Sequence, residues 1–420
     1  MQNALLTMDI NQKRLKSLEK PPMTRKTMDE DEDDRGDCDV IDRISNLPDE
    51  LLCHILSFLP TKKAVATAIL STKWKNLFPL IPNLQLKLND ILLLQPEKSS
   101  LDVIFMNFVD RLLNVTLRDN SSVSTFHLIL QKIDEGREIG NWISSALRLN
   151  VKKMDIRNRR LKNSNFVLDS LFGCNLVSLT LMLDFADEAP ECRFSLPNLQ
   201  MLCVQNMQFK VVNILLEGCP SLEHLFVYNC YCYPGEMLRI CLPSLKALKL
   251  FSYIYFLEGE VELDVPKLEY FNYCGFLANR YTGKKMKSLR IARFDLYQNV
   301  SQYTYESDEQ AAELIKLCSG AEKLWLSEKF IMMLHHLPGP MPRFQNLVVI
   351  LIKNIDSCGW KLIPSLLESA PNLETLIVKS GFENESYERL KAFLEKSLSI
   401  CLSQCRDKCY VMKIERGVGN

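Results

Sequence analysis

The chain has 420 residues, 47% of them hydrophobic, which allows one long domain beside a small one, or two to three ordinary domains. Lys+Arg and Asp+Glu both total 51, so the net charge gives no reason to expect recruitment by nucleic acid or by a membrane surface. No apolar run approaches the roughly 18 residues that span a bilayer, and residues 11–20 are polar and basic where a signal peptide would carry its apolar core. Fifteen cysteines without framework spacing read as reduced thiols, which places the chain in the cytoplasm, the nucleus or both.

Residues 1–40 read as a solvated, disordered tail. Lys13, Arg14, Lys16, Lys20, Arg25 and Lys26 precede an acidic run from Asp29 to Asp34, and the basic residues are too dispersed for a nuclear address. Three short helices are expected over residues 41–86. Pro48 suits a first helical turn, where its missing N–H has no partner to lose. Asp49 and Glu50 then face the positive end of the helix dipole. Leu51, Leu52, Ile55, Leu56 and Leu59 fall on one helical face, and Pro60 stops the helix. Thr61 is expected to cap a second helix with Val65, Ala68 and Ile69 inward, and Ser71 a third with Trp74, Leu77 and Phe78 on one side. Three such helices bury too little surface to be comfortable alone, so part of their apolar face should await a partner.

The order Arg43-Ile44-Ser45-x-Leu47-Pro48-Asp49-Glu50-Leu51-Leu52, then Ile55-Leu56-Ser57-x-Leu59-Pro60-Thr61-Lys62, then Leu70-Ser71-x-x-Trp74-x-x-Leu77 closely resembles the F-box of plant F-box proteins. One departure is Thr72-Lys73, where the family more often has two basic residues. The resemblance implies docking on a Skp1-like adaptor, with Leu47, Pro48, Leu51, Leu52, Ile55, Leu59 and Trp74 as candidate contacts. Some of these must instead hold the helices together.

Residues 87–114 read as a linker and helical cap, and from residue 115 to 380 the chain repeats itself. The unit is apolar, two variable, apolar, one variable, apolar. Its first positions are Val123, Val151, Leu176, Leu199, Leu222, Leu245, Leu268, Leu289, Ala321, Leu347 and Leu373. From Leu176 the first four intervals are 23 residues each, the mark of leucine-rich repeats. The expected fold is therefore α/β: a three-helix F-box followed by a leucine-rich-repeat solenoid of about eleven irregular repeats. Its parallel sheet lines the concave face, and stacking supplies a core that no single repeat can bury. The fourth and sixth positions should point into that core. Return paths are expected to be helical at Val212, Leu215 and Leu216, and at Ile315. Asn158, Asn206, Asn229 and Asn354 occupy the eighth position, and the usual asparagine of the ninth is missing, so no continuous asparagine ladder is expected.

Trp142-Ile143-x-x-Ala146 ahead of Val151 resembles the early repeat of plant proteins that join an F-box to such repeats. Phe344-x-Asn346-Leu347, Trp360 and Leu366-Leu367-Glu368-Ser369-Ala370-Pro371-Asn372-Leu373 resemble the start of the FBD module over 340–385. Residues 386–420 read as a helix and tail, on one face of which Cys401, Cys405 and Cys409 would recur.

Catalysis finds little support. The five histidines show no metal-binding spacing, His335-His336 reads as a solvent-facing loop pair, and no phosphate-binding glycine loop occurs. Three cysteines at four-residue spacing lack the fourth ligand of a structural zinc site. Cys174, Cys219 and Cys318 precede repeat strands where a small apolar residue packs. Neither an enzyme, a cofactor nor a metal is expected.

Binding finds more. The third, fifth and seventh positions of each repeat should face the concave side. The fifth and seventh are Cys203 and Gln205, Phe226 and Tyr228, Lys249 and Phe251, Asn272 and Cys274, Arg293 and Asp295, Trp325 and Ser327, and Leu351 and Lys353. Phe226, Tyr228, Lys249, Phe251, Arg293 and Trp325 are the candidate target-binding residues, since aromatic and Arg side chains anchor interfaces. A polar, Tyr-rich insert with Tyr297, Tyr303 and Tyr305 belongs near the same rim. An F-box joined to a repeat solenoid implies, by resemblance, the substrate receptor of an SCF-type ubiquitin ligase, linked through the adaptor to cullin and RING subunits. A small-molecule-dependent co-receptor and a scaffold outside any ligase are the other two readings.

Overall fold

The computed structural model describes residues 44–67, 72–77, 80–81, 83–87, 98–117, 123–130, 136–158, 165–171, 173–183, 194–252, 259–296, 306–336, 339–353, 359–379, 399–405 and 409–415. The tail of residues 1–40, Ala68, Ile69, Ser71, Phe78, Asn354 and the tyrosines at 297, 303 and 305 lie outside them, and with them the readings attached to those positions. The chain falls into two compact units, one up to Ile133 with Glu138–Asp155, the other Asp134–Arg137 with Ile156 onward.

In the first unit, helices α1 (Asp49–Ser57), α2 (Thr61–Ala66) and α3 (Thr72–Leu77) follow as expected. Pro48 and Pro60 sit just outside α1 and α2 with extended backbone, and their carbonyls accept the first helical N–H groups. Leu52, Leu56, Ala64, Trp74 and Leu77 form the interior. Thr61 departs from expectation. It is the first residue of α2, not its cap, and its buried Oγ1 accepts the backbone N–H of Gln85 at 2.7 Å. Gln85 belongs to β1 (Asn83–Lys87), which pairs in parallel with β2 (Thr125–Ile129). Strand pairing thus begins one strand earlier than the expected start at residue 115, and α2 satisfies a donor on the outer edge of β1. Thr61→Val is expected to leave that N–H unpaired at a cost of about 1–3 kcal/mol. Amide exchange at Gln85 should then accelerate about tenfold or more while Thr61→Ser restores protection.

Helix α4 (Lys98–Arg111) runs on as a wide turn over Leu112–Thr116, and α5 (Gly136–Arg148) packs close by. Trp142 is buried edge-on against Phe105 and donates its indole N–H to Asp110. Strand β3 (Lys153–Asn158) follows, and Lys152 and Lys153 donate to the carbonyl of Ser124.

The second unit is built on a parallel sheet. After α6 (Asn165–Ser170) come β4 (Ser178–Leu183), β5 (Met201–Gln205), β6 (His224–Tyr228), β8 (Ala247–Ser252), β10 (Tyr270–Gly275), β12 (Ile291–Leu296), β13 (Lys323–Ser327), β14 (Val349–Lys353) and β15 (Thr375–Lys379). Each pairs in parallel with the next in that order. The period-two burial expected of these strands is present: Leu202 and Val204, Leu225 and Val227, and Leu248 and Leu250 all point inward. All eleven first positions are buried, none more than 3% exposed. At about 1.5–3 kcal/mol for each buried Leu or Val, stacking of the repeats is the main stabilising term.

The return paths are of two kinds. Helices α7 (Phe209–Glu217), α8 (Glu306–Leu317), α9 (Glu328–His335) and α10 (Ile363–Ser369) serve some repeats, and Val212, Leu215, Leu216 and Ile315 are buried on them as expected. Within the repeats starting at Leu222, Leu245 and Leu268, however, the chain returns through β7 (Met237–Cys241), β9 (Glu260–Asp264) and β11 (Arg280–Gly283), a second parallel sheet. The cause is local. Leu238 and Ile240, then Val261 and Leu263, alternate at period two, which suits a strand and not a helix.

The Lys- and Glu-rich helix expected ahead of residue 399 lies outside the described residues, but the helical face expected for Cys401, Cys405 and Cys409 is corrected. Ser399–Cys405 is strand β16 and Cys409–Glu415 is β17; they pair antiparallel, and β17 pairs antiparallel with β15. Ile400 and Leu402, and Tyr410, Met412 and Ile414, recur at every second position, the period of a strand. The cysteines therefore share no helical face, since Cys405 and Cys409 are register partners across two strands.

The eighth repeat position turns the chain. Asn206 and Asn229 have positive φ there, and Gly275 occupies the same position with φ +113°. Asparagine and glycine tolerate this region where other residues do not.

Candidate functional site

Two surfaces carry binding character, one in each unit. On the first, Leu51 and Ile55 lie one helical turn apart on α1 and are 50% and 42% exposed; Phe58 just beyond is 75% exposed and Ile44 58%. Their neighbours Leu52 and Leu56 are fully buried, so α1 has apolar residues on two sides and only one is covered. Pro48 is exposed, and Leu47 and Leu59 are half-buried. Leu52 and Trp74 do not belong to this outer surface. They are interior residues, whereas Ile44, Phe58 and Leu80, which the sequence reading did not single out, are exposed. Periodicity alone does not separate the two apolar sides of a short helix.

Helix α3 holds the entry to this surface. Trp74 donates its indole N–H to Ser45 Oγ at 3.0 Å. Lys73 Nζ donates to the carbonyls of Ser45 and Leu47 at 2.9 and 2.8 Å and lies 3.3 Å from Asp49. The single basic residue of the Thr72-Lys73 pair thus anchors the segment leading into α1.

The second surface is the side of the repeat sheet turned away from its core. Strand register aligns Phe226 with Lys249 and Tyr228 with Phe251. Tyr228 and Phe251 stack at 4.9 Å, and Lys249 Nζ lies 5.0 Å above the Phe226 ring. Because they cover one another these rings are half-buried. Farther along, Arg293 lies 5.2 Å over Trp325, which is 37% exposed. Asp295 is 3.7 Å from both Arg293 and Lys353. A recess of about 250 Å³ is lined by the fifth and seventh positions Arg293, Asp295, Trp325, Ser327, Leu351 and Lys353, together with the sixth-position Phe294 and Leu326. Between the two groups, Asn272 and Cys274 were expected on the open face, yet both are buried: β10 is covered on both sides.

Neither surface assembles a nucleophile with a base. Burial pushes the thiols of Cys219 and Cys230 up to about 12, so they are neutral packing groups, and Cys219 donates to the carbonyl of Leu215. His335 and His336 close α9 and are not a loop pair; His336 Nδ1 is 3.0 Å from the carbonyl of Met332. Among the described residues no three His, Cys, Asp or Glu side chains gather as for a metal ion, and no helix is long and apolar enough to cross a membrane.

Residues 44–83 match the F-box domain, and residues 139–293 match the leucine-rich repeats described for the FBD-associated F-box protein At5g56370. Three curated relatives from Arabidopsis thaliana are similar over most of their length. F-box/LRR-repeat protein At4g14096 is 33% identical over 87% of this chain and 77% of its own. F-box/LRR-repeat protein At4g14103 is 33% identical over 82% and 93%, and F-box/LRR-repeat protein At3g59200 is 35% identical over 80% and 69%. The F-box implies binding to a Skp1-like adaptor, and F-box/LRR proteins generally act as non-catalytic adaptors or receptors in protein interaction. With helical unit, repeat sheet and relatives in agreement, the chain belongs to the F-box/LRR-repeat proteins of plants.

Proposed function

We propose that the chain is the substrate-recognition subunit of an SCF-type ubiquitin ligase, acting in the cytoplasm, the nucleus or both. The observation that carries the reading is the uncovered apolar side of α1, with Leu51, Ile55 and Phe58 exposed inside the residues that match an F-box. A Skp1-like adaptor seated there removes that surface from water and joins the chain to cullin and RING subunits. The outward side of the repeat sheet holds the target. The chain makes and breaks no bond: it raises the effective concentration of the target near the charged ubiquitin-conjugating enzyme.

Reconstitution tests this. Full-length protein mixed with a Skp1-like adaptor, cullin and RING subunit is expected to elute as one complex. Elution with adaptor alone, leaving cullin behind, would favour a scaffold outside any ligase.

A further inference from the structure

We infer that the outward side of the repeat sheet takes an extended acidic segment of the target, with carboxylate side chains spaced by apolar or aromatic ones; this deepens the receptor reading and rests on it. Across β6, β8, β10, β12 and β13, register sets Phe226, Lys249, Asn272, Arg293 and Trp325 side by side. The row reads aromatic, cation, amide, cation, aromatic. Both cations lean outward onto the ring beside them, at 5.0 and 5.2 Å. Asn272 between them is 8% exposed and its Oδ1 has no hydrogen-bond partner.

The charge on this face is lopsided in a chain whose formal net charge is +0. At the third, fifth and seventh positions from β5 to β14, the cations Lys249, Arg293, Lys323 and Lys353 face a single carboxylate, Asp295. Asp295 is shared between Arg293 and Lys353. Lys249 has for neighbours the rings of Phe226 and Tyr270, and among the described residues no carboxylate. The nearby acids Glu223 and Glu322 stand at the strand entrances and pair there with Lys246 and Arg290.

Magnitudes decide what such a face prefers. A cation resting on a ring at an exposed site gains about 0.5–1 kcal/mol, while a hydrogen bond to a charged partner is worth about 1.5–3 kcal/mol. An incoming carboxylate therefore draws Lys249 and Arg293 off their rings. The freed faces of Phe226 and Trp325 then receive the apolar side chains between the acids. From β6 to β13 the row spans about 19 Å, the length of about six extended residues.

The test pans short random displayed peptides against the full-length chain held by a terminal tag, then measures the best peptide by fluorescence anisotropy. Enrichment of Asp or Glu alternating with Leu, Phe or Trp is expected. Lys249→Glu with Arg293→Glu should weaken that peptide at least about tenfold while retaining adaptor capture and the thermal melt of the unaltered chain, which together show that both units are folded. Absence of acidic enrichment overturns the inference. So does undiminished binding to the double variant, or tighter binding of a phosphoserine version or of oligouridine RNA than of the carboxylate peptide. Acidic enrichment without adaptor capture by the unaltered chain would support this face and sink the ligase reading alone.

Discussion

Replacing Leu51 and Ile55 together by aspartate is expected to abolish capture of a Skp1-like adaptor while the repeats stay folded. Both side chains are half exposed in the free protein, so the helical unit loses little; surface substitutions of this kind usually stay within about 0.5 kcal/mol each. The bound state loses far more. Fully burying a Leu or Ile is worth about 1.5–3 kcal/mol, and each new carboxylate enters an apolar interface unpaired, at several kcal/mol. Even about 4 kcal/mol in total is close to a thousandfold in Kd. Leu52→Ala and Trp74→Ala provide the contrast. These side chains are interior, and Trp74 ties down Ser45, so adaptor capture should fall only as the helical signal melts. Isothermal calorimetry with purified adaptor, beside thermal melts of the same proteins, separates the two behaviours. Tight binding by the Leu51→Asp, Ile55→Asp protein would mean that the adaptor sits elsewhere.

The contrast also marks what the chain's spelling conveys. Repeat phase was legible because a first-position Leu must be buried in every copy, and eleven copies average out local noise. For the same reason Arg293, Asp295, Trp325, Ser327, Leu351 and Lys353 could be placed on one side before any coordinates, and they meet at one recess. Three things were not legible. The uncovered side of α1 depends on how three helices pack. The burial of Asn272 depends on what neighbouring strands lay over β10. The hairpin β16–β17 was hidden because Cys401, Cys405 and Cys409 mimic a helical period, while Ile400, Leu402, Tyr410, Met412 and Ile414 obey the strand period and prevail where β15 offers an edge. Local spacing loses to tertiary pairing in each of these cases.

The eighth repeat position gives the largest expected effect on stability. A Cβ built on Gly275 would stand 1.8 Å from the carbonyl oxygen of Ser252, its register partner on β8, and the backbone there has φ +113°. No rotamer relieves this, because the obstacle is main chain, so Gly275→Ala must push β10 away from β8. Phe276 would then lose its N–H bond to Ser252 as well. Such a disruption belongs among losses of about 4 kcal/mol or more, or roughly 10 °C in Tm for a unit of this size. Gly173 is the control: its φ is +67° but nothing lies within 4 Å of an added Cβ. Gly173→Ala should thus cost only the backbone term of about 1–2 kcal/mol. Asn206→Gly and Asn229→Gly, at equivalent positions with φ 60° and 48°, should be close to neutral. Calorimetric melts of the four proteins measure the order. If Gly275→Ala melts no lower than Gly173→Ala, the close approach of β10 to β8 is not what selects glycine at this turn.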